Sequence, residues 1–187
     1  MKNAFSRRAL GCVAVPLLLA ACDPAAPTFA ERRHENTEIV NTGLSDWSNI
    51  SSNMMVEKYG PPDRVETLRL VWEHRAPWKR IAVWDELGFQ ENDRGPNNIE
   101  ETIAYPVPAE KRAALASFSR ALNVSPDGAE LSARSSDEGK NFLMLNLADG
   151  IVKGLLSPED ARVSYLQTLQ LADSGKSSPA MLGLLFH

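Results

Sequence analysis

The sequence predicts an α+β domain: an antiparallel sheet of about five short strands, in two hairpin-like units, packed by about four helices. Two observations carry this. Segments whose apolar residues alternate with period two are joined by a link too short for a helix. Segments with helical spacing and their own start and stop signals follow the strands, in the order α-β-β-β-α-β-β-α-α.

The first helix is expected from Asp46 to Tyr59, with Ser45 or Asp46 as cap and Trp47, Ile50, Met54 and Met55 recurring at three- to four-residue spacing. Gly60-Pro61-Pro62 stops it, because proline cannot continue a helix and glycine relaxes the exit. Val65 to Glu73 then alternates, with Leu68, Leu70 and Trp72 pointing one way and Arg69 and Glu73 the other. Lys79 to Glu86 forms the next strand, Ile81 and Val83 on one face and Arg80, Ala82 and Trp84 on the other. The link His74–Trp78 is short enough for a hairpin. Residues 88–98, rich in Gly, Asn, Asp and Pro, read as a loop, and Ile99 to Tyr105 as a strand ended by Pro106 and Pro108.

A second helix is expected from Pro108 to about Leu122, with Leu115, Phe118 and Leu122 as its buried stripe. Ser125-Pro126-Asp127-Gly128 is a turn, since proline presets one dihedral and glycine accepts a positive φ. Ala129 to Arg134 is a short strand. Asp137 or Ser136 caps a third helix reaching Val152, with Phe142, Leu145, Ala148, Ile151 and Val152 inward. Ser157-Pro158-Glu159-Asp160 opens a fourth: a cap, a proline at the first position and acids in the first turn. It runs to about Ala172 and ends near Gly175, after which the apolar tail Met181 to Phe186 packs back on the core. There is no internal repeat.

Ahead of this domain, expected to span residues 44–187, the N-terminus carries Lys2, Arg7 and Arg8 and no acid through residue 8, then apolar or small residues through Ala21. This is the basic and apolar pattern of a signal peptide, residues 1–21. Its apolar run is much shorter than the roughly 20 residues of a permanent membrane span. Leu19-Ala20-Ala21-Cys22 resembles a bacterial lipobox. The resemblance implies cleavage before Cys22 and acylation, palmitate included, of its thiol and new amino group. Two or more chains give stable anchoring where one gives only marginal binding. Ser6-Arg7-Arg8-Ala9-Leu10 also resembles a twin-arginine signal, and Sec export stays open beside it. Asp23 resembles an inner-membrane retention signal of enteric bacteria. The expected location is thus the cell envelope, lipid-anchored and facing the periplasm, on either membrane. Residues 22–43, with Pro24, Pro27 and the charged run Glu31–Glu35, have no period and read as a tether.

Processing would discard Cys12 and leave Cys22 alone, so the domain has no disulfide to rely on. Removing residues 1–21 takes away Lys2, Arg7 and Arg8, and the net charge falls from −4 to −7. An acidic body argues against nucleic acid as a partner and against electrostatic docking on anionic lipid. The expected partners are the membrane, through the lipid, and an envelope protein or peptidoglycan.

No catalytic or cofactor signature follows. The three histidines, His34, His74 and His187, have no metal-ligand spacing, and neither G-x-S-x-G nor a P-loop occurs. No metal, no cofactor and no catalytic residue is therefore assigned. The candidate ligand-binding patch is the hairpin, where Trp72, Trp78 and Trp84 lie beside Glu73, His74, Arg75, Lys79 and Arg80. Trp72, His74, Trp78 and Arg80 are the residues proposed to stack on a sugar or hold a peptide. The competing reading makes the tryptophans the sheet's core. A second cluster, Arg134 to Glu138 with Lys140 and Asn141, either lines an anion pocket at a helix start or caps that helix. Of the adjacent acids, Glu159-Asp160 suits a helix N-terminus, and Glu100-Glu101 must face opposite sides of a strand and cannot pair.

Met55-Val56-Glu57-Lys58-Tyr59-Gly60-Pro61-Pro62-Asp63, with the alternating strand ending at Trp72, resembles part of the SmpA/OmlA-type outer-membrane lipoproteins. That resemblance implies a helix, a Gly-Pro turn and a hairpin in support of β-barrel assembly, and it covers those elements alone. The whole domain is similar to uncharacterised bacterial secreted lipoproteins, which implies no activity. The function expected is a membrane-anchored, non-enzymatic binding or scaffolding domain. The alternatives are an envelope hydrolase or transferase working through His74 and nearby carboxylates, and glycan or small-ligand binding at the tryptophan hairpin.

Overall fold

A computed structural model describes residues 45–85 and 97–186, with the backbone alone at 46 and 47. Cys22, the expected leader and tether, most of the loop 88–98 and the side chain of Trp47 lie outside the described residues.

The domain is α+β. Helix α1 (Asp46–Tyr59) is followed by strands β1 (Arg64–Glu66), β2 (Arg69–Arg75), β3 (Trp78–Trp84) and β4 (Ile99–Ala104). A 3-10 turn (Ala109–Lys111) leads into α2 (Arg112–Phe118). Strands β5 (Leu122–Val124) and β6 (Glu130–Ser135), helices α3 (Glu138–Val152) and α4 (Pro158–Asp173), and a 3-10 turn (Pro179–Met181) complete the chain. Among the described residues the strands form one antiparallel sheet ordered β1-β2-β3-β4-β6-β5. Helices α1 and α3 pack on one face of the sheet, and α4 packs on α2 and α3.

The core lies between sheet and helices. Leu70, Trp72, Ile81, Val83, Ile99, Ile103 and Leu131 from the strands meet Met55, Leu115, Phe118, Phe142, Leu145, Ala148 and Ile151 from the helices. The opposite face is closed by its own side chains. Small residues Ala82, Thr102 and Ser132 are buried there beneath longer charged ones. Arg80 bonds Thr102 and pairs with Glu130, and Arg69 and Arg134 lie over the Trp84 ring at 4.6 and 5.1 Å.

Two helix starts carry the expected side-chain caps, whereas at α1 Ser45 makes none and its hydroxyl donates to Ser48 Oγ instead. Asp137 accepts from the Lys140 N–H at 2.9 Å, and Ser157 from the Asp160 N–H at 3.1 Å. The apolar tail does return to the core: Leu184 and Phe186 pack against it. Asn146 fixes this tail, its amide donating to the carbonyls of Ala180 and Gly183 and its oxygen accepting from the Leu185 N–H.

Three expectations need correction. The single strand Val65–Glu73 is two strands, β1 and β2, folded about Thr67-Leu68, so Leu68 sits exposed in the turn. The helix expected to reach Leu122 ends at Phe118, and Leu122 opens β5, where it pairs with Ala133. Pairing along β6 satisfies those backbone groups as well as a helix would, and it overrides the local period.

The third correction concerns α1. Its inward face is Ser48, Ser51, Ser52 and Met55, while Ile50 and Met54 are 56% and 48% exposed. Ser48 and Ser51 fit because the helix lies close to polar backbone and loop groups: Ser48 donates to the Trp84 carbonyl at 2.9 Å and Ser51 to Asn98 Oδ1 at 2.8 Å, while the fully buried Ser52 hydroxyl has no partner among the described residues. Met54→Lys should therefore shift stability by no more than about 0.5 kcal/mol. Ser52→Leu, which overfills a fully buried site, should cost about 1–3 kcal/mol. Thermal melts of the two variants check both signs, and a large loss for Met54→Lys would contradict this packing.

Candidate functional site

The hairpin β2–β3 ends in an unusual turn. His74 has a left-handed φ of 54°, and Ala76–Pro77 is a cis peptide. The turn is anchored at its base: Arg75 donates to Asp63 at 3.0 Å and to the Tyr59 carbonyl, and Asp63 accepts from the Glu73 N–H. The Glu73 N–H and the Arg75 guanidinium hold the Asp63 carboxyl below the usual range.

Beside this turn runs an open groove of about 1000 Å³. One wall is the turn itself, with His74, Ala76, Pro77, Trp78 and Lys79. The floor and far side are the end of β4 with Ile103, Ala104, Tyr105 and Pro106, the last turn of α3 with Asp149 and Lys153, and the tail with Leu184 and Phe186. The polar groups on its far side are bound to each other. Tyr105 donates to Asp149 Oδ1 at 2.7 Å, and Lys153 pairs with Asp149 Oδ2 at 2.8 Å. Phe186 meets the Tyr105 ring edge-on at 5.3 Å, with the Lys153 ammonium 5.9 Å from its centroid. Burial, and then the carboxylate it donates to, push the Tyr105 phenol above its ordinary value.

Of the four residues singled out in the hairpin, two meet here. His74 is exposed on the groove wall and makes no hydrogen bond or ion pair among the described residues. Trp78 also lines the groove, but only 2% of it is exposed. Its ring stacks on Phe142 at 4.7 Å, and its Nε1 donates to Glu138 at 2.8 Å. Trp72 is fully buried, donating to the Gly60 carbonyl at 2.8 Å, and Arg80 lies across the sheet with Thr102 and Glu130. Between them the tryptophans are core side chains, and an open aromatic platform at Trp72 and Trp78 is not formed. The helix-start cluster resolves as capping by Asp137, with Lys140 bonded to Ser136.

Sequence reasoning missed Tyr105, Asp149, Lys153 and Phe186. The usable signal was Asp149, an acid between Ala148 and Gly150 close to the inward stripe of α3.

A second polar cluster lies inside the fold. Glu138, in the first turn of α3, accepts from Lys58, the Tyr59 hydroxyl and Trp78 Nε1. Burial opposes its ionisation, but the donors outweigh it and hold its carboxyl below the usual range. Nearby Glu101 is 0% exposed. Its Oε2 accepts from Asn141 at 2.9 Å, and its Oε1 has no partner among the described residues. Burial first, and the charge of Glu138 second, push its carboxyl well above the ordinary value. Glu100 faces the other side, accepting from Trp84 at 3.0 Å, so the two adjacent acids do not form a pair.

Among the described residues no group of three or more His, Cys, Asp or Glu converges as metal ligands, and no helix is long and apolar enough to cross a membrane. No family model, no curated protein and no solved structure matches the chain.

Proposed function

We propose that this chain is a bacterial envelope lipoprotein, acylated on Cys22, whose α+β domain is a non-enzymatic binding module that takes an envelope component into the groove beside the β2–β3 turn. The carrying observation is the groove itself. Four separate elements converge to build an apolar trough of about 1000 Å³, near the upper end of the usual size for ligand sites. His74, Lys79 and Lys153 border it against one acid, Asp149, on a protein whose net charge is negative. The anchoring half rests on Leu19-Ala20-Ala21-Cys22 and the basic, apolar leader before it. The hydrolase alternative needs an acid hydrogen-bonded to His74; the nearby carboxylate, Asp63, is instead engaged by the Glu73 N–H and Arg75, and no hydrogen bond joins it to His74 among the described residues. That favours binding over turnover at this site.

Two readouts in intact cells test the two halves. Cys22→Ala should abolish incorporation of an alkyne-labelled fatty acid and move the protein out of the membrane fraction. A photo-crosslinking amino acid at Ala104, on the groove, should capture an envelope component that the same group at Gln170, on the exposed side of α4, does not. Labelling that survives Cys22→Ala sinks the anchor. Equal capture from both positions sinks the groove.

A further inference from the structure

We propose that the ligand of this groove is a single-chain anionic amphiphile, a hydrocarbon chain carrying one acidic head, as in a long-chain fatty acid or a lysophospholipid. This rests on the groove being the binding site and names what enters it.

The walls dictate the body of the ligand. The side chains of Ile103, Ala104, Pro106, Pro77, Leu184 and Phe186 are all hydrocarbon. The polar side chains deeper in the trough are already satisfied: the Tyr105 hydroxyl and both Asp149 oxygens are engaged with one another or with Lys153. At the floor β4 stays paired with β6 through Ala104, while its pairing with β3 stops at Thr102, and Pro106 has no N–H to extend a ladder there. A peptide laid here would find only the short stretch between Thr102 and Pro106 to join, far less ladder than extended peptides use to gain affinity on a sheet. A hydrocarbon chain needs none, and it gains by removing apolar wall from water.

The rim dictates the head. Lys153 is half exposed on the α3 side, and Lys79 and His74 stand on the turn side. Lys79 is shared with Glu130 and Lys153 with Asp149, so each ammonium has a protein partner and still meets solvent. On a body of net negative charge these two half-exposed ammoniums are where an anion is best tolerated.

Dibromostearate tests this directly, because bromine quenches tryptophan at short range and Trp78 lines the groove. With the full chain held in amphipol, saturable quenching is expected. Trp78→Phe should remove most of it and Trp84→Phe should not. Ala104→Phe, which fills the trough from an exposed strand position, should abolish it with near-UV circular dichroism unchanged. The uncharged methyl ester, and the acid on Lys153→Glu, should bind about tenfold more weakly, while Lys176→Glu, the same charge change away from the groove, should not. Displacement by lysophosphatidylglycerol but not by free oleate would identify the phospholipid source, and the reverse the fatty acid; either supports the shared chemistry. Three results overturn it: no saturable quenching, quenching indifferent to Ala104→Phe, or equal binding of acid and ester. A peptide that saturates the groove where dibromostearate does not would also overturn it. Specific crosslinking from Ala104 without amphiphile binding leaves the groove standing as a site and removes this ligand from it.

Discussion

Trp78→Ala should destabilise the domain by about 3–5 kcal/mol, a loss comparable to much of the stability of an ordinary domain. The ring is 2% exposed and stacked on Phe142, so its removal opens a cavity between β3 and α3. It also removes one of three donors to Glu138, a carboxylate only 14% exposed that then depends on Lys58 and Tyr59 alone. Trp78→Phe keeps the stacking surface and loses the indole N–H, so it should cost only about 1–2 kcal/mol. Urea denaturation with the two variants side by side separates cavity from hydrogen bond. If Trp78→Ala folds as well as the wild type, the ring is not the keystone of this contact. The same number bears on ligand binding: loss of binding in Trp78→Ala would report unfolding, which is why Ala104 and Lys153 are the informative positions in the groove.

The features legible in the sequence are those whose physics is local. Ser157-Pro158 and Asp137 announce helix starts because a cap is a contact within one turn. Gly60-Pro61-Pro62 announces the end of α1 for the same reason. The alternation Ile81, Val83 against Arg80, Ala82 gave the two faces of β3 correctly, because one face is buried under helices. What was illegible is set by distant partners. Thr67-Leu68 carries no turn residue, and only the pairing of Val65 with Leu70 makes it a turn. Ser48 and Ser51 face inward on α1 because of the Trp84 carbonyl and Asn98, neither of which is near it in sequence. The groove was half legible. His74 and Trp78 were flagged through their shared hairpin, but Tyr105, Asp149, Lys153 and Phe186 come from three further segments that only the tertiary fold brings together. Arg80 was drawn in by proximity along the strand, and alternation sends it to the other face.

Glu101→Gln should make the domain more stable at neutral and alkaline pH, and hardly change it near pH 5. Glu101 shares the buried face of β4 with Ile99 and Ile103, and that placement desolvates it completely. Its folded-state carboxyl is raised well above the value it has in the unfolded chain, by burial first and by the Glu138 charge second. In the window between those two values the native state holds a proton that the unfolded state has released. The unfolded state therefore binds fewer protons, and stability falls as pH rises. Each pH unit of that window costs the wild type about 1.4 kcal/mol. Gln has the same shape, no charge to lose and a carbonyl that can still accept from Asn141, so its curve should be flat across the window. Glu138 works in the opposite sense. Its carboxyl is lowered, so its contribution is present above the ordinary carboxylate range and is lost as pH falls through the folded value. The two acids, bracketing one buried cluster, place the stability maximum of the wild type at mildly acidic pH and predict that Glu101→Gln moves it upward. Urea midpoints for both proteins at pH 5, 6, 7 and 8 decide the matter. Parallel curves would mean that Glu101 titrates alike in the folded and unfolded chains, which a carboxyl with one unpartnered oxygen at 0% exposure should not do.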